Sequence, residues 1–344
     1  MGIALQYASR VAAKAIALLA FGYSLSGPVL AAGFYEGKQI SIIVGSDSGS
    51  AYDAYSRLLA RHMGKYIEGN PTFLVQNMPG AGSIIAAQYI ANIAPKDGMV
   101  IAMLFPGTLM EPLTGDPAKY RYSPVDLSYI GTADSGTRLC ITMASSGVRT
   151  MADARSRKVV MAGTAPGSST VDYAWFMNEL TGTKFEVVSG YKGPGDVLLA
   201  MERGEAAGVC ALDSATVNTM RPDWISTGKI HVLVQHALEA NPRFEAPSLF
   251  EFTKPQDREV AELMVSQQVF GRPFVAPPGI AAEPLRILRK AFMAAMQDPA
   301  LLEDARKLKL DINPKGGEEI AGLVKKMYGA PAPVLARLKK AIRP

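Results

Sequence analysis

VQNMPGAGSIIAAQYIANIAPKDGMVIAML, residues 75–104, is the stretch that decides the fold. A strand runs into Asn77-Met78-Pro79-Gly80-Ala81-Gly82, and a helix starts at once behind it. That helix carries Ile84, Ile85, Tyr89, Ile90 and Ile93 at helical spacing. Pro95-Lys96-Asp97-Gly98 stops it, and residues 99–105 make the next strand. A tight turn of small residues at a helix start leaves backbone N–H groups free beside the positive end of the helix dipole. Such a turn suits an anion without needing a basic side chain. It holds no residue type that does chemistry, so it predicts binding of an anionic small molecule. Gly80, Ala81 and Gly82 are the candidate contacts; a plain turn needing glycine conformations is the alternative. Asn77 either orients the loop or donates to the ligand.

Upstream, Gln39-Ile40-Ser41-Ile42-Ile43-Val44 is a β-branched strand. The turn behind it holds Ser46, Asp47, Ser48, Gly49 and Ser50, and a helix follows with Tyr55, Leu58, Leu59, His62 and Met63 on one face. A short strand at 72–76 precedes the opening turn. Strand and helix alternate, which predicts a parallel sheet with helices on its faces. Ligands of open α/β sheets lie beyond the carboxyl ends of the strands, so 46–50 are candidate contacts, with one serine capping the helix as the alternative. Asp53 falls in the first helical turn, where the dipole stabilises it, and reads as structural. Thr108, just past the third strand, is a lesser candidate.

The pattern restarts at 158–162. A second polar turn follows with Thr164, Pro166, Gly167, Ser168, Ser169 and Thr170, then a helix over 171–180 and strands at 185–188, 207–212 and 230–234. Two units with the same grammar predict two similar α/β domains facing one another. The matching turn could hold the distal polar end of a ligand. Tyr191, before Lys192-Gly193-Pro194-Gly195, and Asp213, with Ser214 at a strand end, are further candidates for the cleft. Residues 267–276 read as extended. Helices follow at 282–296 and 299–308, with a last pair from 318; without fresh strands, these should pack back onto the first domain.

The chain's 344 residues, 48% of them hydrophobic, suit about two domains. Residues 1–32 carry Arg10, Lys14, a short apolar run and Val29-Leu30-Ala31, the pattern of a cleavable secretory signal peptide and hence of a periplasmic protein. An uncleaved anchor is the other reading, disfavoured because the apolar core is shorter than the ~20 residues that span a bilayer. Removing residues 1–32 lowers the net charge from +5 to +3, because two bases and no acid are lost. The remaining bases are dispersed, which excludes a nucleic-acid face. Cys140 and Cys210 show no metal-ligand spacing; buried thiols and a disulfide both remain open. No metal or other cofactor is expected. His62, His231 and His236 read as core or surface residues. There is no Gly-x-Ser-x-Gly elbow, no Gly-x-x-x-x-Gly-Lys-Ser/Thr loop and no His-Glu-x-x-His, so no catalytic residue is assigned and an enzyme is not expected. A serine hydrolase would need a positioned base that the sequence does not mark.

Together these motifs resemble the substrate-binding receptors of tripartite tricarboxylate transporters, the Bug family. The resemblance covers the whole chain after residue 32. It rests on Tyr35-Glu36-Gly37-Lys38-Gln39-Ile40, on Asp53 with Ser56-Arg57-Leu58-Leu59-Ala60, and on Asn77-Met78-Pro79-Gly80-Ala81-Gly82. It continues through Ala94-Pro95-Lys96-Asp97-Gly98, Tyr191-Lys192-Gly193, Arg203-Gly204-Glu205-Ala206-Ala207, Gly228-Lys229-Ile230 and Phe274-Val275-Ala276-Pro277-Pro278-Gly279. It implies a two-domain Venus-flytrap protein of the type II periplasmic-binding class, each domain a mainly parallel sheet flanked by helices. Domain one would be 33–136 plus 266–344 and domain two 137–265, with crossings near 129–137 and 265–274. It further implies a protein that binds a small carboxylate between the domains and delivers it to membrane permease subunits; signalling to a membrane sensor is the rival role, and a monomer is expected. One departure stands out. The first turn lacks the family's usual proline and extra glycines and carries Asp47, an acid that would repel a carboxylate or select a ligand with a positive group.

Overall fold

The computed structural model describes residues 33–164 and 168–343. The signal-peptide reading of 1–32 therefore lies outside the described residues, as do the candidate contacts Pro166 and Gly167. The first lobe opens with β1 (Gln39–Val44), α1 (Ala51–His62), β2 (Thr72–Asn77), α2 (Ile84–Asn92), β3 (Val100–Met103), α3 (Gly107–Thr114) and β4 (Ser128–Thr132). The second lobe is β5 (Arg138–Met143), α4 (Met151–Ser156), β6 (Val159–Gly163), α5 (Ser169–Thr181), β7 (Phe185–Ser189), α6 (Pro194–Glu202), β8 (Gly208–Asp213), α7 (Ser214–Met220), β9 (Ile230–His236) and α8 (Arg258–Ser266). The chain then returns through β10 (Pro273–Ala276), α9 (Ala282–Met296), α10 (Pro299–Lys307), β11 (Lys315–Gly316), α11 (Gly317–Tyr328) and α12 (Ala332–Ile342).

Two sheets result, in the orders β11-β4-β10-β3-β1-β2 and β7-β6-β8-β5-β9. The parallel pairings, β1 with β2 and β3, and β6 with β7 and β8, are those of the alternating strand–helix units. The returning β10 and β11 add antiparallel pairings to the first sheet and β5 adds them to the second, so each sheet is mixed rather than mainly parallel. All the parallel strands of one sheet end on the same side, which puts Val44, Asn77 and Met103 at one edge of the first lobe. Gly163 and Asp213 take the same place in the second. The antiparallel β10 and β5 start at these edges, with Arg272 and Arg138.

Local chemistry fixes the element ends. The Ser50 side chain accepts from the Asp53 N–H to cap α1, and Thr150 with Asp153 forms a capping box on α4. Gly182, left-handed at φ 75°, closes α5. Asp298 caps α10 ahead of Pro299. His62, on the apolar face of α1, meets Asp304 at 3.0 Å and Asp298 at 3.6 Å, which ties α1 to α10.

Three expectations need correction. Residues 267–270 form a 3-10 turn rather than extended chain, so the strand is only Pro273–Ala276. The first crossing, read near 129–137, includes a full strand, β4, that pairs with β10 and β11. The last helices do not all pack on the first lobe. Helix α11 lies on β4, but α12 lies on α5 and α8 of the second lobe, where Arg337 pairs with both Glu179 and Asp257. One apolar cluster accordingly runs from Ile90, Leu104 and Tyr129 through Val324 and Leu338 to Phe176.

Cys140 and Cys210 are joined in a disulfide between neighbouring strands β5 and β8, at a bulge where Ala211 is left-handed. Both are fully buried. His236 packs beside them, with its ligand atoms and the two sulfurs all within 4.8 Å; the sulfurs are already bonded to each other.

Candidate functional site

In the first lobe the two turns read from sequence form one assembly. A Cβ added to Gly45 would lie 1.7 Å from Ser83 Oγ, so only glycine lets the turn behind β2 close onto the end of β1. Asn77 Nδ2 donates to the Ser46 carbonyl (3.0 Å) and to Asp53 Oδ1 (3.1 Å), and Asn77 Oδ1 accepts from Arg57 (3.4 Å). Asn77 thus orients the loop. Asp53 also accepts from the Gly49 N–H (2.8 Å) and Arg57 Nε (2.9 Å). Burial pushes this carboxyl up, but the bonds from Arg57, Gly49 and Asn77 outweigh it and hold it below the usual carboxylate range. Asp53 is structural, as its position in the first turn predicts.

The remaining polar atoms of these turns divide cleanly. Ser46 is buried and bonds Ser50 (2.7 Å); the Ser48 hydroxyl reaches Asp53 at 3.5 Å. Asp47 and Gly49 are exposed. Gly80, Ala81, Gly82 and Ser83 all have positive φ, a run that swings the backbone ahead of α2. Ser83 precedes α2 without capping it by its side chain, and its buried hydroxyl has no protein partner among the described residues. The sequence reading missed Ser83, although it stands directly after Gly82. Thr108 is buried and its hydroxyl donates to the Phe105 carbonyl (2.7 Å).

In the second lobe Thr164, Ser168 and Thr170 form a triangle of hydroxyls at 2.8–3.1 Å, and the Thr164 N–H donates to Thr170 Oγ1. Ser169 opens α5. Tyr191 donates to Glu205 (3.4 Å), and Asp213 accepts from the Ala215 N–H (3.0 Å) to cap α7.

Between the lobes lies a cavity of about 290 Å³. Its lining includes Pro106 and Gly107 at the start of α3, Ser169 at the start of α5, Arg138 and Gln267. Of the residues singled out from sequence, Ser169 alone lines it. Arg138 heads β5 opposite Asp213, whose carboxylate is turned to α7, and makes no ion pair among the described residues. A second arginine, Arg272, heads β10 at the same level. It stacks on Tyr52, 4.5 Å from the ring centre, and Tyr52 in turn stacks on Phe105 at 4.3 Å. Neither arginine stands in a recognisable motif; each is placed by antiparallel strands that the sequence did not reveal at these positions.

The model of the family described as TctC, tripartite tricarboxylate transporter family receptor, matches residues 56–328. The chain belongs to that family. A curated relative from Cupriavidus necator, the UPF0065 protein in the gbd 5' region, is 28% identical over 282 residues, covering 80% of this chain and 79% of its own. Among solved structures, a TctC solute-binding protein from Polaromonas is similar, with a TM-score of 0.70 and 18% identity over 89% of this chain and 99% of its own. MatC from Rhodopseudomonas palustris, solved with malate, has a TM-score of 0.61 and 18% identity over 89% of this chain and 99% of its own. A second R. palustris protein, solved with adipate, has a TM-score of 0.63 and 20% identity over 88% of this chain and 97% of its own. At these identities the structures establish the fold: a two-lobed periplasmic-binding architecture. As a TctC-family solute receptor, the chain is a binding protein and not an enzyme.

Proposed function

We propose that this receptor holds a small carboxylate-bearing anion between its lobes and delivers it to the permease subunits of a tripartite tricarboxylate-type transporter. The observation that carries the reading is the pair of polar clusters, each set between a strand's carboxyl end and a helix start: 46–50 packed with 80–83 in one lobe, Thr164 with Ser168 and Thr170 in the other. The relatives solved with malate and adipate support a carboxylate ligand. The two lobes, 33–136 with 266–331 and 137–265 with α12 packed on it, would move as two bodies about the crossings. A ligand held by one turn favours closure because only the closed form satisfies both. In this reading the protein works as a monomer in the periplasm, exported by residues 1–32.

Thermal-shift screening of the protein lacking residues 1–32 against mono-, di- and tricarboxylates, acidic amino acids and aromatic acids tests the ligand class. A bound ligand raises stability according to its concentration over Kd. No shift with any carboxylate would overturn the reading. Gly82→Glu tests the site. Space around the Gly82 Cβ position is open, so Gly82→Ala costs only the ~1 kcal/mol of a left-handed residue, whereas the glutamate should abolish carboxylate binding by repulsion.

A further inference from the structure

Arg272 is 8% exposed, so its guanidinium is nearly removed from water. Among the described residues, the guanidinium's hydrogen bonds run from Nη1, to the Gly271 carbonyl (2.8 Å) and Tyr52 Oη (3.2 Å). Nε is buried without a partner, and among the described residues Nη2 has none. Two acids stand near. A Cβ on Gly136 would lie 3.1 Å from Asp213 Oδ2 and 3.2 Å from Asp134 Oδ2, so both carboxyls converge on the first crossing. Neither comes within 4.0 Å of Arg272 to make an ion pair. Burial, and then the neighbouring Asp213, push Asp134 up to about 7, so near neutral pH it supplies only part of a counter-charge. Asp213 is already turned to its helix cap. A buried cation without a paired anion is costly, and the cost is relieved when an anion arrives.

The surroundings say where that anion would sit. Tyr52 and Tyr55 come from α1, directly behind the turn 46–50; Asp134 and Gly271 belong to the two crossings; Asp213 ends β8 of the second lobe. Arg272 therefore sits where α1, the two crossings and the second lobe meet, outside the lining of the cavity of about 290 Å³, and is held rigid by aromatic stacking. We propose that Arg272 is the counter-charge for a carboxylate of the bound ligand and so a specificity-determining residue of the receptor. The assignment rests on the reading of the protein as a carboxylate receptor, and it adds a charged anchor to turns that offer only N–H groups and hydroxyls. It also accounts for how an exposed Asp47 is tolerated: the charge that selects the anion lies deeper than the acid that repels it.

Calorimetric titration of malate and of adipate into the wild type, Arg272→Met and Arg272→Lys tests the assignment, together with the melting temperature of each without ligand. Arg272→Met should weaken binding at least 100-fold while melting at or above the wild type, because an unpaired buried charge is replaced by an apolar stem. Arg272→Lys should recover part of the affinity, since it restores charge without the planar fork. Binding within threefold of wild type in Arg272→Met would overturn the proposal. So would a ligand-free melting temperature far below wild type, which would make Arg272 a structural counter-ion of Asp134 and Asp213. If the wild type binds neither acid nor any carboxylate, the receptor reading itself fails, and the ligand-free melting temperatures still decide the structural alternative.

Discussion

Asp134 and His236 give the second lobe and the hinge opposite responses to pH. Asp134 titrates near 7 in the fold because burial, then Asp213, raise it, against relief from Arg272. Its folded value exceeds its unfolded one, so its contribution is fully present below about pH 4 and is lost as pH rises through 7. Burial and then the Arg138 charge push His236 down to about 3, so its contribution holds above about 6.5 and is lost as pH falls through 3. Asp134→Asn should therefore gain stability on wild type between pH 5 and pH 8, by up to about 1.4 kcal/mol per pH unit. Urea denaturation at both pH values measures this; equal pH slopes in the two proteins would exclude it. Gly45→Ala belongs to the same scale. Its Cβ would meet both the side chain and the Cα of Ser83, so the turn must move, at a cost of about 1–3 kcal/mol and with loss of carboxylate binding, read by melting and calorimetry. What sequence revealed here follows chemistry that is local. Turns with Gly80, Gly82 or Ser168 announce themselves by composition. Arg138 does not, because an isolated arginine comes to line the cavity only through long-range strand pairing.

Among the elements, the strand–helix units were legible because each carries its own period and its own stop. Residues 39–44 and the helix 282–296 have in the structure the bounds that their patterns predict. Residues 267–270 were not, since a four-residue run of two glutamines and two apolar residues, Gln267-Gln268-Val269-Phe270, is too short to show either a strand or a helix period. The placement of α12 was not legible either: its amphipathic pattern says that one face is buried, not against which lobe. The Arg337 side chain is 31% exposed, so its pairs with Glu179 and Asp257 are partly screened. Arg337→Ala should lower the melting temperature modestly, corresponding to about 1 kcal/mol or less, with carboxylate affinity unchanged. A large loss of affinity in that variant would mean that α12 controls closure rather than only covering α5.

For the whole molecule, the two sheets and the crossing chain make the lobes, and the disulfide staples the second. The bridge closes a loop of 70 residues. Replacing Cys140 and Cys210 by serine should cost roughly 4 kcal/mol, read by urea denaturation of oxidised and double-variant protein. A variant as stable as wild type would show that the pairing contributes nothing. The sequence left this pair open because both residues look like ordinary members of apolar strands, and only the neighbouring of β5 and β8 brings them together.

The packing of α12 on α5 also has a meaning in time. During synthesis, the outer face of α5 stays bare until residues 332–342 have emerged, and the first sheet lacks β10 and β11 until residues 273–316 follow the entire second lobe. Neither lobe can therefore finish as an independent unit on the growing chain, as domains made of contiguous sequence ordinarily do. A ribosome-bound chain stopped before residue 330 should be digested readily by protease across both lobes, whereas the released chain should resist. Completion of both lobes thus waits for the C-terminal segments.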